Sequence, residues 1–265
     1  NNAGIYLQSP LKDILVLGNI CDNQGHGIRS VIQNNGDVLE GIALKNNKCK
    51  GNTVMDCSIA GRRGISISSN AFGVLQVTAE STTRLNLSPH INNNRVDTLQ
   101  VARCDSALIT NNEIKTLRDP VSSQDLTFKN NVITEQNENL ILNRIYAFEN
   151  NEVVLLNDSK LRSDVVRRIK SFCNNVIRVM DMSTAYVFHA SGVTDDLRFI
   201  GNQFIITVVE GTPAFSQRVV RLDGARLVVS NNTFIGSEPD ILIDFYGSSS
   251  TITGNTSTTT NGTIG

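Results

Sequence analysis

Asparagine recurs along this chain in a register that only a few kinds of fold can use. The segment LITNNEI at 108–114 returns as LTFKNNVI, YAFENNEV, KSFCNNVI, LRFIGNQF and LVVSNNTF. The second asparagine of each segment marks a repeat, at Asn19, Asn47, Asn70, Asn94, Asn112, Asn131, Asn151, Asn175, Asn202, Asn232 and Asn255. Successive markers lie 18 to 30 residues apart. That spacing is too short for a helical-hairpin repeat and fits one coil of a solenoid. The repeats also explain an odd composition, because 31 of the 265 residues are asparagine.

The flanks of the marker define the coil. Three residues before it stand Val16, Leu44, Ile67, Ile91, Ile109, Phe128, Phe148, Phe172, Phe199, Val229 and Ile252, all apolar. Two residues after it stand Cys21, Cys49, Phe72, Val96, Ile114, Ile133, Val153, Ile177, Phe204 and Phe234, with Ser257 the exception in the last repeat. Local alternation, as in Leu126-Thr127-Phe128 and Leu227-Val228-Val229, is strand periodicity. The pattern predicts an all-β chain in which a strand, a tight bend at the Asn pair and another strand repeat coil upon coil. Asparagine suits such a bend because it tolerates left-handed backbone geometry. Stacked at ~4.8 Å per coil, the marker asparagines can bond amide to amide in an internal ladder.

Together these coils resemble the right-handed parallel β-helices of the pectate-lyase-like superfamily, which includes pectin-degrading enzymes, other polysaccharide lyases and hydrolases, and phage tailspikes. The resemblance implies one β-helix domain of about eleven coils over 1–265, clearest over 10–260. Neither the first residues nor the polar tail STTTNGTIG forms a clear cap, so the chain reads as a fragment of a longer polypeptide.

Charge and composition narrow the function. Lys and Arg total 24 against 25 Asp and Glu, so there is no basic footprint for nucleic acid. No apolar run approaches the ~18 residues of a spanning helix, and the N-terminus carries no signal-peptide pattern. Five cysteines, an odd number without metal-ligand spacing, read as buried free thiols made in a reducing cytoplasm. His26, His90 and His189 lie in different repeats, so neither a metal nor a cofactor is expected. Trp is absent, which leaves hydrogen bonds rather than aromatic stacking to hold a sugar. The strings G-H-G at 25–27, R-I-K at 168–170 and D-D at 195–196 match polygalacturonase signatures, but in the wrong order to converge. Gly192–Asp196 is expected to be an acidic turn between two strands.

Alternation also nominates a site. With Val220 and Leu222 inward, Arg221 and Asp223 point out; with Ile241, Ile243 and Phe245 inward, Asp244 does. With Tyr186 and Phe188 in the core, His189 points out, and the coil before offers Arg167. Asp223 and Asp244 are the candidate catalytic pair, with Arg221, His189 and Arg167 binding substrate beside a protruding 207–218 loop. Asp37, Glu40 and Asp56 form the fallback region. With these residues on an outer sheet face, the resemblance implies a polysaccharide-binding or polysaccharide-degrading domain, hydrolase or lyase. The other class is a non-catalytic β-helix spacer in a virion appendage, adhesin or surface layer. The tailspike resemblance implies a homotrimer on a virion appendage or cell surface, recognising a bacterial surface glycan.

Overall fold

The computed structural model describes residues 3–22, 24–31, 39–52, 54–79, 86–118, 120, 122–142, 144–157, 159–163, 169–182, 187–208, 218–236, 242–246 and 249–259. Every regular element among them is a strand. Internal contacts divide the chain into two compact units, 1–132 and 133–265.

In the first unit one sheet stacks Ala3–Gln8, His26–Val31, Met55–Gly61, Ala71–Ala79, Arg95–Val101 and Glu113–Leu117, each parallel to the next. A second stacks Leu11–Leu17, Leu39–Lys45, Ser66–Ser68, His90–Asn92, Leu108–Thr110 and Leu126–Lys129 in the same way. Between them in sequence, Asn86–Leu87 pairs with Cys104–Asp105. The second unit repeats the scheme. Glu152–Leu155, Val176–Met182, Gln203–Val208, Thr233–Gly236 and Thr256–Thr259 form one parallel stack. Leu140–Ile141, Leu161–Ser163, Phe188–Ile200, Arg218–Ser230 and Leu242–Tyr246 form another. Equivalent strands of successive repeats therefore lie side by side, an arrangement compatible with a parallel β-helix or solenoid.

The bend has one conformation throughout. The residue before each marker is Gly18, Asn46, Ser69, Asn93, Asn111, Asn130, Asn150, Asn174, Gly201, Asn231 or Gly254, and all eleven have φ between 54° and 67°. Left-handed backbone is costly for most side chains but open to Gly and tolerated by Asn, which is why these types dominate the position. The marker asparagine that follows turns inward, and its neighbour at the bend faces out.

Inside, the ladder is closed amide by amide. In the first unit the Nδ2 of Asn19 donates to Oδ1 of Asn47 at 3.0 Å, and the same bond links Asn47 to Asn70 (3.0 Å), Asn70 to Asn94 (2.9 Å), Asn94 to Asn112 (3.0 Å) and Asn112 to Asn131 (3.0 Å). Each of these Oδ1 atoms also accepts the donor residue's backbone N–H, as from Asn47 to Asn70 at 2.8 Å. The second N–H of each amide reaches a backbone carbonyl, as from Asn94 to Ile67 at 2.9 Å. The second unit carries the same chain from Asn151 through Asn175, Asn202 and Asn232 to Asn255, at 2.8–3.2 Å. A side-chain amide has two donors and two lone pairs, so an interior member of the ladder such as Asn94 is saturated. That saturation makes burial of the amide tolerable.

Beside the ladder run the apolar columns. Leu44, Ile67, Ile91, Ile109 and Phe128 are fully buried, as are Cys49, Phe72 and Ile114 on the other side of the bend. In the second unit the column becomes aromatic: Phe148 stacks on Phe172 at 5.4 Å and Phe172 on Phe199 at 5.2 Å, within 8° of parallel. Phe188 meets both Phe172 and Phe199 edge-on. Ile252, in the last repeat described, is 47% exposed.

The segment expected to turn at Gly192–Asp196 does not turn. Phe188–Ile200 is one strand, paired with Arg218–Ser230 from Phe188↔Val220 to Ile200↔Ser230 through two register shifts. The twelve steps on one strand and ten on the other leave two extra residues, and bulges absorb them without breaking the sheet. Between Asn157 and Ser171, Leu161–Ser163 is a strand. Of the proposed 207–218 loop, 209–217 lie outside the described residues.

Asn131→Leu leaves the Asn112 backbone N–H and side-chain N–H without their acceptor, at a cost of roughly 1–3 kcal/mol per orphaned group. Asn137 is exposed in a connection. Urea unfolding is expected to show Asn131→Leu destabilised by at least ~2 kcal/mol and Asn137→Leu nearly neutral; equal midpoints would contradict the ladder's role.

All five cysteines are free, and Cys21, Cys49, Cys57 and Cys104 are buried while Cys173 is half-buried. Burial pushes the thiols of Cys21, Cys49 and Cys57 up, and that of Cys104 up to about 12. Titration with a thiol-reactive disulfide at neutral pH should therefore show one accessible thiol in the native protein and the other four only in denaturant. Rapid native reaction of several thiols would refute the packing.

Candidate functional site

The nominated residues of the second unit fall on consecutive strands of one sheet. The register runs Ile141↔Arg162, Arg162↔His189, His189↔Arg221 and Arg221↔Asp244. Leu161, Phe188, Val220 and Leu222 are fully buried, so alternation places the half-buried Arg162, His189, Arg221 and Asp223 on the outer face. Asp223 pairs with Tyr246, one strand across and two residues along from Asp244. Asp244 is described in its backbone alone, and Arg167 lies outside the described residues. The structure thus brings His189, Arg221 and Asp244 into one row, with Asp223 diagonal to it.

Arg162 is the member that sequence reading missed. The signal was present as Leu161-Arg162, an inward apolar residue followed by an outward polar one, as in Phe188-His189 and Val220-Arg221. Spacing hid it, because Arg162 and His189 lie 13 residues before their marker asparagines and Arg221 and Asp244 lie 11 before theirs.

A row of the first unit pairs its charges internally. Lys12 pairs in register with Glu40, and Glu40 bridges to Arg63, which continues to Leu87 and Asp105. Lys12 Nζ lies 2.8 Å and Arg63 Nε 2.7 Å from the Glu40 carboxylate, whose side chain is 12% exposed. Asp56 is buried, accepting from Asn52 Nδ2 at 2.7 Å and from the Val74 backbone N–H at 2.8 Å. These carboxylates serve the scaffold: Glu40 links strands Leu11–Leu17 and Leu39–Lys45 to the bridge residue Arg63, and Asp56 closes a bend. Asp37, the third member of that fallback region, lies outside the described residues.

A different feature of the first unit was not legible as a site. A groove of about 470 Å³ follows the outer side of the bend, lined by Asn46, Ser69, Asn93 and Asn111 from four successive repeats and by Lys48, Arg95 and Glu113. The four bend side chains are exposed. Asn93 donates to Ser69 Oγ at 3.3 Å and Asn111 to Asn92 Oδ1 at 2.9 Å, while Asn111 Oδ1 accepts from Asn130 Nδ2 at 3.2 Å. Arg95 Nε lies 3.4 Å from Glu113. Among the described residues no group of three or more His, Cys, Asp or Glu is placed to hold a metal ion.

Compared with protein-family models, with curated proteins and with solved structures, the chain matches none.

The Arg63 guanidinium and then the Lys12 ammonium hold the Glu40 carboxyl down to about 2, against an ordinary 4.5. A depressed folded value stabilises the protein fully above pH ~4.5, and that contribution fades as pH falls through about 2. Melting temperatures of wild type and Glu40→Gln should therefore differ by a constant amount from pH 7 to about 5 and converge toward pH 2. A gap that stays constant down to pH 2 would show that the two cations do not set it.

Proposed function

We propose that the chain is a right-handed parallel β-helix of about eleven coils, tailspike-like within the pectate-lyase-like group, that binds or cleaves a bacterial surface polysaccharide. The observation that carries this reading is the row Arg162, His189, Arg221 and Asp244 on consecutive parallel strands, with Asp223 diagonal to its end. Parallel strands present such a row at ~4.8 Å intervals, which suits a ligand that is itself an extended polymer. Three basic positions in succession favour an acidic sugar, with Arg221 and Arg162 meeting its carboxylate.

In this reading Asp223 and Asp244 are the acid/base pair. One strand across and two residues along places their backbones about 8 Å apart, near enough for the two carboxyls to flank a glycosidic bond in either a retaining or an inverting glycosidase. Assembly as a homotrimer on a virion appendage or cell surface belongs to the same proposal.

A glycan array combined with a reducing-end assay tests it. A glycan that binds and is cleaved should be cleaved at least ~100-fold more slowly by Asp223→Asn and by Asp244→Asn, with melting temperature unchanged and binding weakened by Arg162→Ala. Full activity in both aspartate variants would overturn the site assignment. Absence of any binding and turnover would leave the non-catalytic spacer as the function.

A further inference from the structure

We infer that the groove along the outer bend of the first unit is a second binding site, one that takes a neutral, extended, β-linked oligosaccharide. The groove sits on the outer side of the ladder corner, where the bend side chains are exposed. The marker asparagines spend every donor and acceptor on the internal ladder, as Asn94 does with Asn112, Ile67 and Asn70. The residues before them, Asn46, Ser69, Asn93 and Asn111, are required only to be left-handed, at φ 54–56°. Glycine performs that task at Gly18, Gly201 and Gly254. The bend itself therefore needs neither amide nor hydroxyl at these four positions, whose exposed side chains bond Asn93 to Ser69, Asn111 to Asn92 and Asn130 to Asn111 and line one groove.

The chemistry of the lining selects the ligand. About 470 Å³ is within the ordinary range for a small-ligand cleft. Amides and a hydroxyl offer both donors and acceptors, which match sugar hydroxyls. Arg95 and Glu113 offset one another, and Lys48 adds a single positive charge at one side. Neither the aromatic faces nor the basic row that a nucleic acid needs is present in the lining.

Period decides between the remaining polymers. The bend side chains recur once per strand spacing, ~4.8 Å, whereas an extended peptide presents like-facing groups every two residues, roughly 6.6–6.8 Å. A peptide falls out of step after one repeat. An extended β-linked chain turns over at each sugar, so its like-facing groups recur about every two strand spacings and keep step with alternate bends across Asn46, Ser69, Asn93 and Asn111. An α-linked chain of the same sugars coils and does not.

The test uses cellohexaose and maltohexaose, equal in composition and different in extension, titrated to millimolar concentration into the full chain. Side-chain amide resonances of Asn46, Asn93 and Asn111 should shift with cellohexaose and stay in place with maltohexaose. The variant Asn93→Gly/Asn111→Gly retains the bend conformation and so keeps its melting temperature, while its affinity falls by about tenfold, the loss of one or two neutral hydrogen bonds. No shifts with cellohexaose, equal shifts with maltohexaose, or unchanged affinity in the double variant would each overturn the inference. The outcome is separable from the proposal for the second unit, since Asp223→Asn should leave these shifts intact and a failed groove would leave the row at Arg221 untouched.

Discussion

Buried amide pairing is the constraint on which the rest of this molecule depends. An asparagine side chain carries two donors and two acceptor sites, and leaving any of them dry and unpaired costs more than one net hydrogen bond returns. In both units the solution is another asparagine one repeat away, with Oδ1 taking a side-chain and a backbone N–H together, as at Asn202 and Asn232. Because each amide satisfies its neighbour, the repeats must align at this corner whatever their lengths elsewhere. Steps of 18 and 30 residues are both accommodated.

From that alignment the core follows. Residues at fixed offsets from the marker come to lie over one another, so apolar side chains form columns and not scattered contacts. The near-parallel rings of Phe148, Phe172 and Phe199 are a direct consequence of register, since stacked repeats place equal side chains one strand spacing apart. The bend completes the scheme. Its left-handed residue turns the chain while holding the ladder amide inside and its own side chain outside. One dipeptide thus separates a structural face from a chemical one.

Outside the ladder corner, each repeat has freedom, and charge is arranged according to local need. In the first unit Glu40 is clamped between Lys12 and Arg63 and ties two strands to the next repeat. In the second, consecutive strands carry Arg162, His189 and Arg221 in succession. Outward charge is therefore paired across strands in one unit and set in a basic row in the other. The groove at the outer bend arises from the same freedom.

The repeat, the alternation and the bend were all determined by the sequence alone, because each is enforced locally. A left-handed residue must be Gly or a tolerant polar type, a ladder residue must be an amide, and inward neighbours must be apolar. Arg221, Asp223 and His189 were legible as outward positions for the same reason: Val220, Leu222 and Phe188 beside them had to be core. What faces what across strands was decided only by the tertiary structure. Arg162 entered the row, and Asp223 came to lie diagonal to Asp244, because the stretch between one bend and the next varies in length and the sheet takes up the difference in register shifts such as those between Ala190 and Asp196. Outward side chains pay no burial penalty for a change of register, so no periodic signal survives there for a sequence to display.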